Sequence, residues 1–231
     1  MKYKQIVQGR LLKRVNRFIA EVIINGSIER VHVKNTGRLK ELLYPENAVI
    51  LEASDNPKRT TKYSIIAANK NNKWINIDSQ APNATTFEAL KEGKIKEIGE
   101  VSLLKKEVTF GDSRFDFYYE KGNERGFLEV KGVTLEKDGV ASFPDAPTLR
   151  GTKHVLEMCQ AVQEGYKGII LFVIQMQGCK KFVPNQEMDA NFAKALQQAS
   201  QQGVKIIAYD SIVEEDGLLL DEPIPVNFAQ K

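Results

Sequence analysis

Residues 113–133 read SRFDFYYEKGNERGFLEVKGV. Two β-prone runs flank Gly122-Asn123, a dipeptide suited to a two-residue hairpin turn. With that turn Lys121 faces Glu124, Asp116 faces Glu129 and Arg114 faces Lys131. Opposed residues share a face with their Cβ atoms about 4.5–5.5 Å apart. One face is then Arg114, Asp116, Glu129 and Lys131, and the other is Phe115, Phe117, Leu128 and Val130, a core face. A longer turn over Asn123–Gly126 would slip the register and separate the carboxylates. Two carboxylates this close repel each other unless a cation lies between them. Hard ions such as Mg²⁺ bind through one or two carboxylates plus water and phosphate oxygens, and Mn²⁺ favours the same ligands. Lys131 lies on the same face, placed to assist a water or to stabilise a charged phosphate. A plain amphipathic hairpin with one wet side shows the same alternation.

Outward from the hairpin, the chain divides. Ile6–Leu12, Phe18–Ile24, Ile28–Val33, Ala48–Ala53, Tyr63–Ala68 and Trp74–Asp78 are short β-prone runs separated by turn residues, Asn25-Gly26 foremost. A short helix is expected after Asn35-Thr36-Gly37, running through Leu42-Leu43. Such a set suggests a small barrel of OB-fold type over residues 1–80. A break at Ala81-Pro82-Asn83 opens a second domain over 81–231. It begins with a helix at Thr85–Gly93 and continues with a strand meander that holds the hairpin. A helix at Thr148–Gln163, a fully apolar strand at Lys167–Gln175, a helix at Met188–Gln201 and a strand at Val204–Tyr209 complete it. This is an α/β domain with a mixed sheet.

Charge follows the same division. The 231 residues carry a formal net charge of +3. Residues 1–80 hold 15 basic and 7 acidic residues, a net of +8, which leaves −5 for the rest. A basic first third suits a polyanion, nucleic acid first, although a solvated basic face has the same composition. Forty-two per cent hydrophobic and 27% charged residues exclude a disordered, collagen-like or disulfide-scaffold chain. Two cysteines are too few for a disulfide framework or a typical zinc site. No apolar run follows the basic Met1–Arg17 as in a signal peptide, and none is long enough to cross a bilayer, so a cytoplasmic location without a membrane partner is expected.

Asp116 followed by Glu129-Val130-Lys131 resembles the PD-(D/E)xK nuclease superfamily. Over nearly its whole length the chain also resembles the sugar fermentation stimulation protein A (SfsA) family. That resemblance rests on Ser113–Phe117, on Glu129-Val130-Lys131, and above all on the stretch from Phe143 to His154, FPDAPTLRGTKH. It implies an N-terminal OB-fold, a nuclease-like second domain and DNA binding. It also implies that Glu88, on the first helix of the second domain, is a further metal ligand, although a surface helix carboxylate is the plainer reading. The chain departs from the family pattern at Lys34, where proline is usual, and at Ala84, where arginine is usual.

Further candidates come from the residues. Arg150, Lys153, His154 and Glu157 recur at helical spacing and would present a basic face near a helix N-terminus, set to hold a phosphate. A solvated, partly ion-paired helix face is the plainer alternative. Asp145 precedes that helix and would support the site or shape a turn. Asn35 and Thr36, with Arg38 beside them, could form an anion site or a simple N-cap. Lys13, Arg14 and Arg17 suit contacts to a nucleic-acid backbone. Phe18, Tyr44, Tyr63 and Trp74 could stack bases, although most barrel aromatics are core. The expected activity is sequence-independent DNA binding, with Asp116, Glu129 and Lys131 forming a Mg²⁺- or Mn²⁺-dependent phosphodiesterase site. A non-catalytic DNA-binding regulator of sugar metabolism genes is the alternative, and a carbohydrate- or protein-binding barrel a lesser one.

Overall fold

In the computed structural model residues 1–228 are described. The first sheet contains β1 (Ile6–Arg14), β2 (Ile19–Ile24), β3 (Ser27–Val33), β4 (Ala48–Ala53), β5 (Tyr63–Lys70) and β6 (Lys73–Asn76). Strand β1 pairs with both β2 and β4, β5 pairs with β4, and β3 pairs in parallel with β5, which closes a five-stranded barrel. This is an OB domain. Asn25 and Gly26 both take positive φ in the β2–β3 turn, as a two-residue hairpin requires.

Residues 35–43 differ from expectation. No helix forms after Asn35-Thr36-Gly37, and the segment makes only one turn, closed by Leu43 N–H to Leu39 O at 2.8 Å. Leu39 sits at φ +47°, outside helical geometry, and Pro45 follows two residues after that turn.

The second domain begins with α1 (Ala81–Lys91), four residues earlier than the sequence suggests. Pro82 does not delay it, because the first turn needs no N–H from that position. Next come β7 (Leu103–Phe110), β8 (Ser113–Lys121), β9 (Glu124–Val133), β10 (Leu135–Lys137) and β11 (Val140–Phe143). They are followed by α2 (Leu149–Gln163), β12 (Lys167–Ile174), β13 (Lys181–Pro184), α3 (Ala190–Gln201), β14 (Lys205–Glu214) and β15 (Gly217–Ile224). A six-stranded mixed sheet runs β15-β14-β12-β9-β8-β7, with β12 parallel to β9 and β14. A small sheet, β10-β11-β13, stands beside it.

Helix α1 covers one face of the large sheet, where Ala89 and Leu90 pack with Phe117, Leu128 and Val130. Helices α2 and α3 cover the other, where Val155, Met158 and Phe192 pack with Phe115 and Phe127. That second core is continuous with the barrel interior, through Leu11, Val31 and Leu51. A buried polar seam also joins the domains. Gln175 Nε2 donates to Asn76 Oδ1 at 2.9 Å and to Asp78 O at 3.1 Å, and Lys34 bridges Glu52 and Asp78. The first three residues leave the barrel and hydrogen-bond to the β14–β15 hairpin. Cys159 and Cys179 are buried free thiols. Among the described residues no helix is long and apolar enough to cross a membrane.

Candidate functional site

The β8–β9 hairpin has the register read from its turn, with Lys121 opposite Glu124 and Phe117 opposite Leu128. Gly122 occupies the turn at φ +57°. Beyond Phe117 the two strands stop exchanging ladder bonds. The backbone N–H of Val130 donates instead to Asp116 Oδ2 at 2.7 Å, so the aspartate side chain takes the place of a strand partner. This irregularity splits the expected core face. Phe115 enters the α2 side and Phe117 the α1 side, although they are two residues apart. A regular strand would have kept them together.

Asp116 is fixed from two sides. Asn83 on α1 donates its Nδ2 to Oδ1 at 2.7 Å, opposite the Val130 contact. Burial raises the Asp116 pKa above the ordinary value, and the negative charge of Glu129 raises it further, so the two carboxylates feel each other. Glu129 is only 3% exposed. Its Oε1 accepts from Lys131 Nζ at 2.6 Å and meets His154 Nδ1 at 2.5 Å. Burial alone would raise its pKa, but the His154 and Lys131 contacts outweigh it and hold Glu129 below the usual range. His154 Nδ1 carries the proton in this contact, because a carboxylate oxygen only accepts. Glu129 Oε2 is buried and has no hydrogen-bond partner.

That orphaned oxygen tests the site for a metal. Among the described residues no three His, Cys, Asp or Glu side chains converge as a ready-made cage. A hard divalent ion needs no such cage, because one or two carboxylates suffice when water and substrate oxygens complete its shell. Asp116, with spare lone pairs, and Glu129, with one oxygen held and the other bare, are the donors such an ion takes.

The predicted residues separate into groups. Asp116, Glu129 and Lys131 converge. His154 joins them as a buried clamp on Glu129, not as a phosphate donor. The expected basic face on α2 is broken, since His154 and Glu157 turn inward while Arg150 and Lys153 face solvent. Lys153 reaches Asp112 O at 3.3 Å and Glu157 at 3.6 Å. The α2 N-terminus is also already satisfied, with Thr148 Oγ1 accepting from Gly151 N–H at 3.0 Å. Arg114 pairs with Glu107 on β7 at 3.4 Å. Glu88 is half exposed and ion-pairs with the Met1 amino group at 2.6 Å.

In the barrel, Lys13 pairs with Glu21 at 3.2 Å. Arg14 is structural, donating to the carbonyls of Arg17 and Gly37 at 2.9 Å each and to that of Arg38. Arg17 and Arg38 are exposed. Asn35 is spent on its own loop, accepting from Gly37 N–H and donating to Ile77 O.

A cleft of about 220 Å³ between the domains is lined by Thr36, Ser79, Gly132, Thr134, Ser142 and Asp145, among others. It starts one residue after Lys131. A Cβ on Gly132 would lie 2.5 Å from Gln175 Oε1 and 2.8 Å from Pro82 Cγ, so only glycine lets the strand pass. Asn83, Gly132 and Ser79 were missed as site residues. Nothing local marks them, since their role comes from what the fold brings against them.

Known proteins resemble this arrangement throughout. The family described as "Sugar fermentation stimulation protein RE domain" matches residues 80–217, and "SfsA N-terminal OB domain" matches residues 12–77. A sugar fermentation stimulation protein homolog of Alkaliphilus oremlandii is 56% identical over 233 residues, covering 99% of each chain. One from Clostridium botulinum (strain Langeland) is 51% identical over 224 residues, covering 96% of this chain and 97% of the other. The structure of Pyrococcus furiosus SfsA in complex with Ca²⁺ superposes with a TM-score of 0.88 at 27% identity, covering 98% of both chains.

Proposed function

The chain belongs to the sugar fermentation stimulation protein family, and from the geometry of its site we propose that it binds DNA and, with a divalent ion, cleaves the phosphodiester backbone. The observation that carries this reading is Glu129, with Oε1 clamped by His154 and Lys131 and Oε2 buried and bare beside Asp116. An unpaired buried oxygen costs about 1–3 kcal/mol; Glu157 and Asp210 carry one too, and what sets Glu129 apart is a second carboxylate, Asp116, close enough for the two charges to interact. Mg²⁺ or Mn²⁺ held by Asp116 and Glu129 fits that vacancy in chemistry. The Pyrococcus furiosus relative is described with Ca²⁺, another hard, oxygen-seeking ion.

When bound, such an ion supplies neutralisation of phosphate charge and activation of the attacking water. The chain's own residues supply the rest. Asn83 and the Val130 N–H fix Asp116. His154 fixes Glu129. Lys131 is only 15% exposed and keeps a positive charge next to the reacting phosphate. The basic barrel holds the backbone, a contact that positions without reading sequence.

The test incubates the full chain with single- and double-stranded DNA in Mg²⁺, Mn²⁺ or EDTA, with Glu129→Ala and Lys131→Ala alongside. Cleavage that needs the ion and both side chains is expected. Binding in EDTA is expected to weaken steeply as salt rises, through counterion release. Binding without cleavage under all conditions would favour the non-catalytic regulator, and no binding at low salt would refute both.

A further inference from the structure

We propose that a groove around Phe18 on the barrel holds an unpaired base of single-stranded DNA and feeds that strand toward the interdomain cleft. The inference rests on the DNA-binding reading above and adds the form of the nucleic acid.

Phe18 is 49% exposed, in contrast to the fully buried Phe115, Phe117, Phe172, Phe182 and Phe192. It stands at the turn into β2, and with His32, Lys34, Asn35, Ser79 and Gln80 it lines a groove of about 180 Å³. Its surroundings are cationic. Arg17 and Arg38, exposed and not ion-paired among the described residues, are tied to the same turn through Arg14, while Lys34 in the groove is already paired with Glu52 and Asp78. An aromatic ring among free cations matches a base with its phosphate, and it does not match a second copy of this basic barrel.

The groove is rigid and it leads somewhere. The Arg14 guanidinium ties the Arg17 carbonyl to those of Gly37 and Arg38, so the Phe18 turn and the 35–38 loop move as one piece. Asn35, Thr36 and Ser79 line both this groove and the cleft that begins at Gly132. A strand with one base on Phe18 therefore runs on into the interdomain cleft. A duplex cannot use Phe18 in this way, because both faces of each internal base are covered by its neighbours. Stacking accepts any base, so the path selects strandedness and not sequence.

The experiment measures affinity by fluorescence anisotropy in EDTA, with the full chain, a labelled oligothymidine single strand and a labelled hairpin duplex of similar charge. Wild type is compared with Phe18→Ala and Phe18→Tyr, each checked for unchanged thermal unfolding. Phe18→Ala should weaken single-strand binding roughly 5- to 150-fold, the range of one lost base stack. Phe18→Tyr should restore most of it, and duplex affinity should change less than about twofold in both variants. Equal affinity of wild type and Phe18→Ala for the single strand overturns the proposal, as does an equal loss for both forms. If wild type binds neither form at low salt, the DNA-binding reading itself fails.

Discussion

Replacing Glu129 by glutamine keeps the side-chain volume and removes one charge, which separates what this carboxylate does for the fold from what it does for a metal. Without metal, the amide oxygen takes the Oε1 position and still accepts from His154 and Lys131. The His154 bond loses its ionised acceptor, while Lys131 still donates from its ammonium but loses an ion-pair partner. At about 1.5–3 kcal/mol for a charge-assisted bond, 0.5–1.5 for a neutral one and about 0–1 for the pair, the change costs roughly 2 kcal/mol. Part is offset, because Asp116 loses the like charge that raises its pKa. A chain of this size shifts about 2–4 °C per kcal/mol, so the metal-free midpoint should fall by no more than about 8 °C. With metal the difference is one of kind. The amide nitrogen now occupies the bare Oε2 position and turns its hydrogens toward the ion. At a free-ion concentration of about 100 Kd, linkage stabilises wild type by about 2.7 kcal/mol, or roughly 5–11 °C, and the variant by nothing. The assay is thermal unfolding of the full chain at neutral pH, in EDTA and across Mg²⁺, Mn²⁺ and Ca²⁺ titrations at matched ionic strength. A wild-type midpoint that does not move with any of the three ions refutes the metal site. An equal gain in Glu129→Gln moves it elsewhere.

Gln175→Leu should cost about 1–3 kcal/mol in urea unfolding, the net worth of two hydrogen bonds. It should not cost more, because Asn76 Oδ1 keeps the Asp78 N–H and Asp78 O keeps the Ala81 N–H. A loss far above that range would mean that the side chain also holds the domains by packing. Asp189 accepts from the N–H groups of Thr148 and Phe192, and these bonds hold its pKa below the ordinary value. Its stabilisation is therefore complete above the ordinary carboxylate value and fades as pH falls through the depressed folded one. Asp189→Asn keeps the cap on the Phe192 N–H, gives up the Thr148 bond, and should flatten that acid limb in a pH series of unfolding midpoints. An acid limb identical to wild type would refute the assignment.

Much of this was legible along the chain. Asn25-Gly26 and Gly122-Asn123 define two hairpins because their turn geometry is a local steric matter. The apolar Lys167–Ile174 run reads as a buried strand because a central strand must be apolar on both faces. The hairpin register brings Asp116 near Glu129, although the ladder itself ends at Phe117 and Leu128. The roles of Glu88 and His154 stayed open for a shared reason. Helical spacing tells which residues share a face, but not which face meets the sheet and which meets solvent. The short helix expected after Gly37 failed because propensity is a weak prior over so few residues.

The amino-acid sequence by itself determined the two-domain order, the uneven charge and the three chemical groups of the site, since hairpin register and composition are local or additive properties. Only the tertiary structure decided how those groups act. Asp116 replaces a ladder partner, Asn83 and His154 arrive from helices on opposite faces of the sheet, and the barrel loop meets Gly132 across the interdomain cleft. Each of these contacts joins residues distant along the chain, and its geometry exists only once both cores are packed.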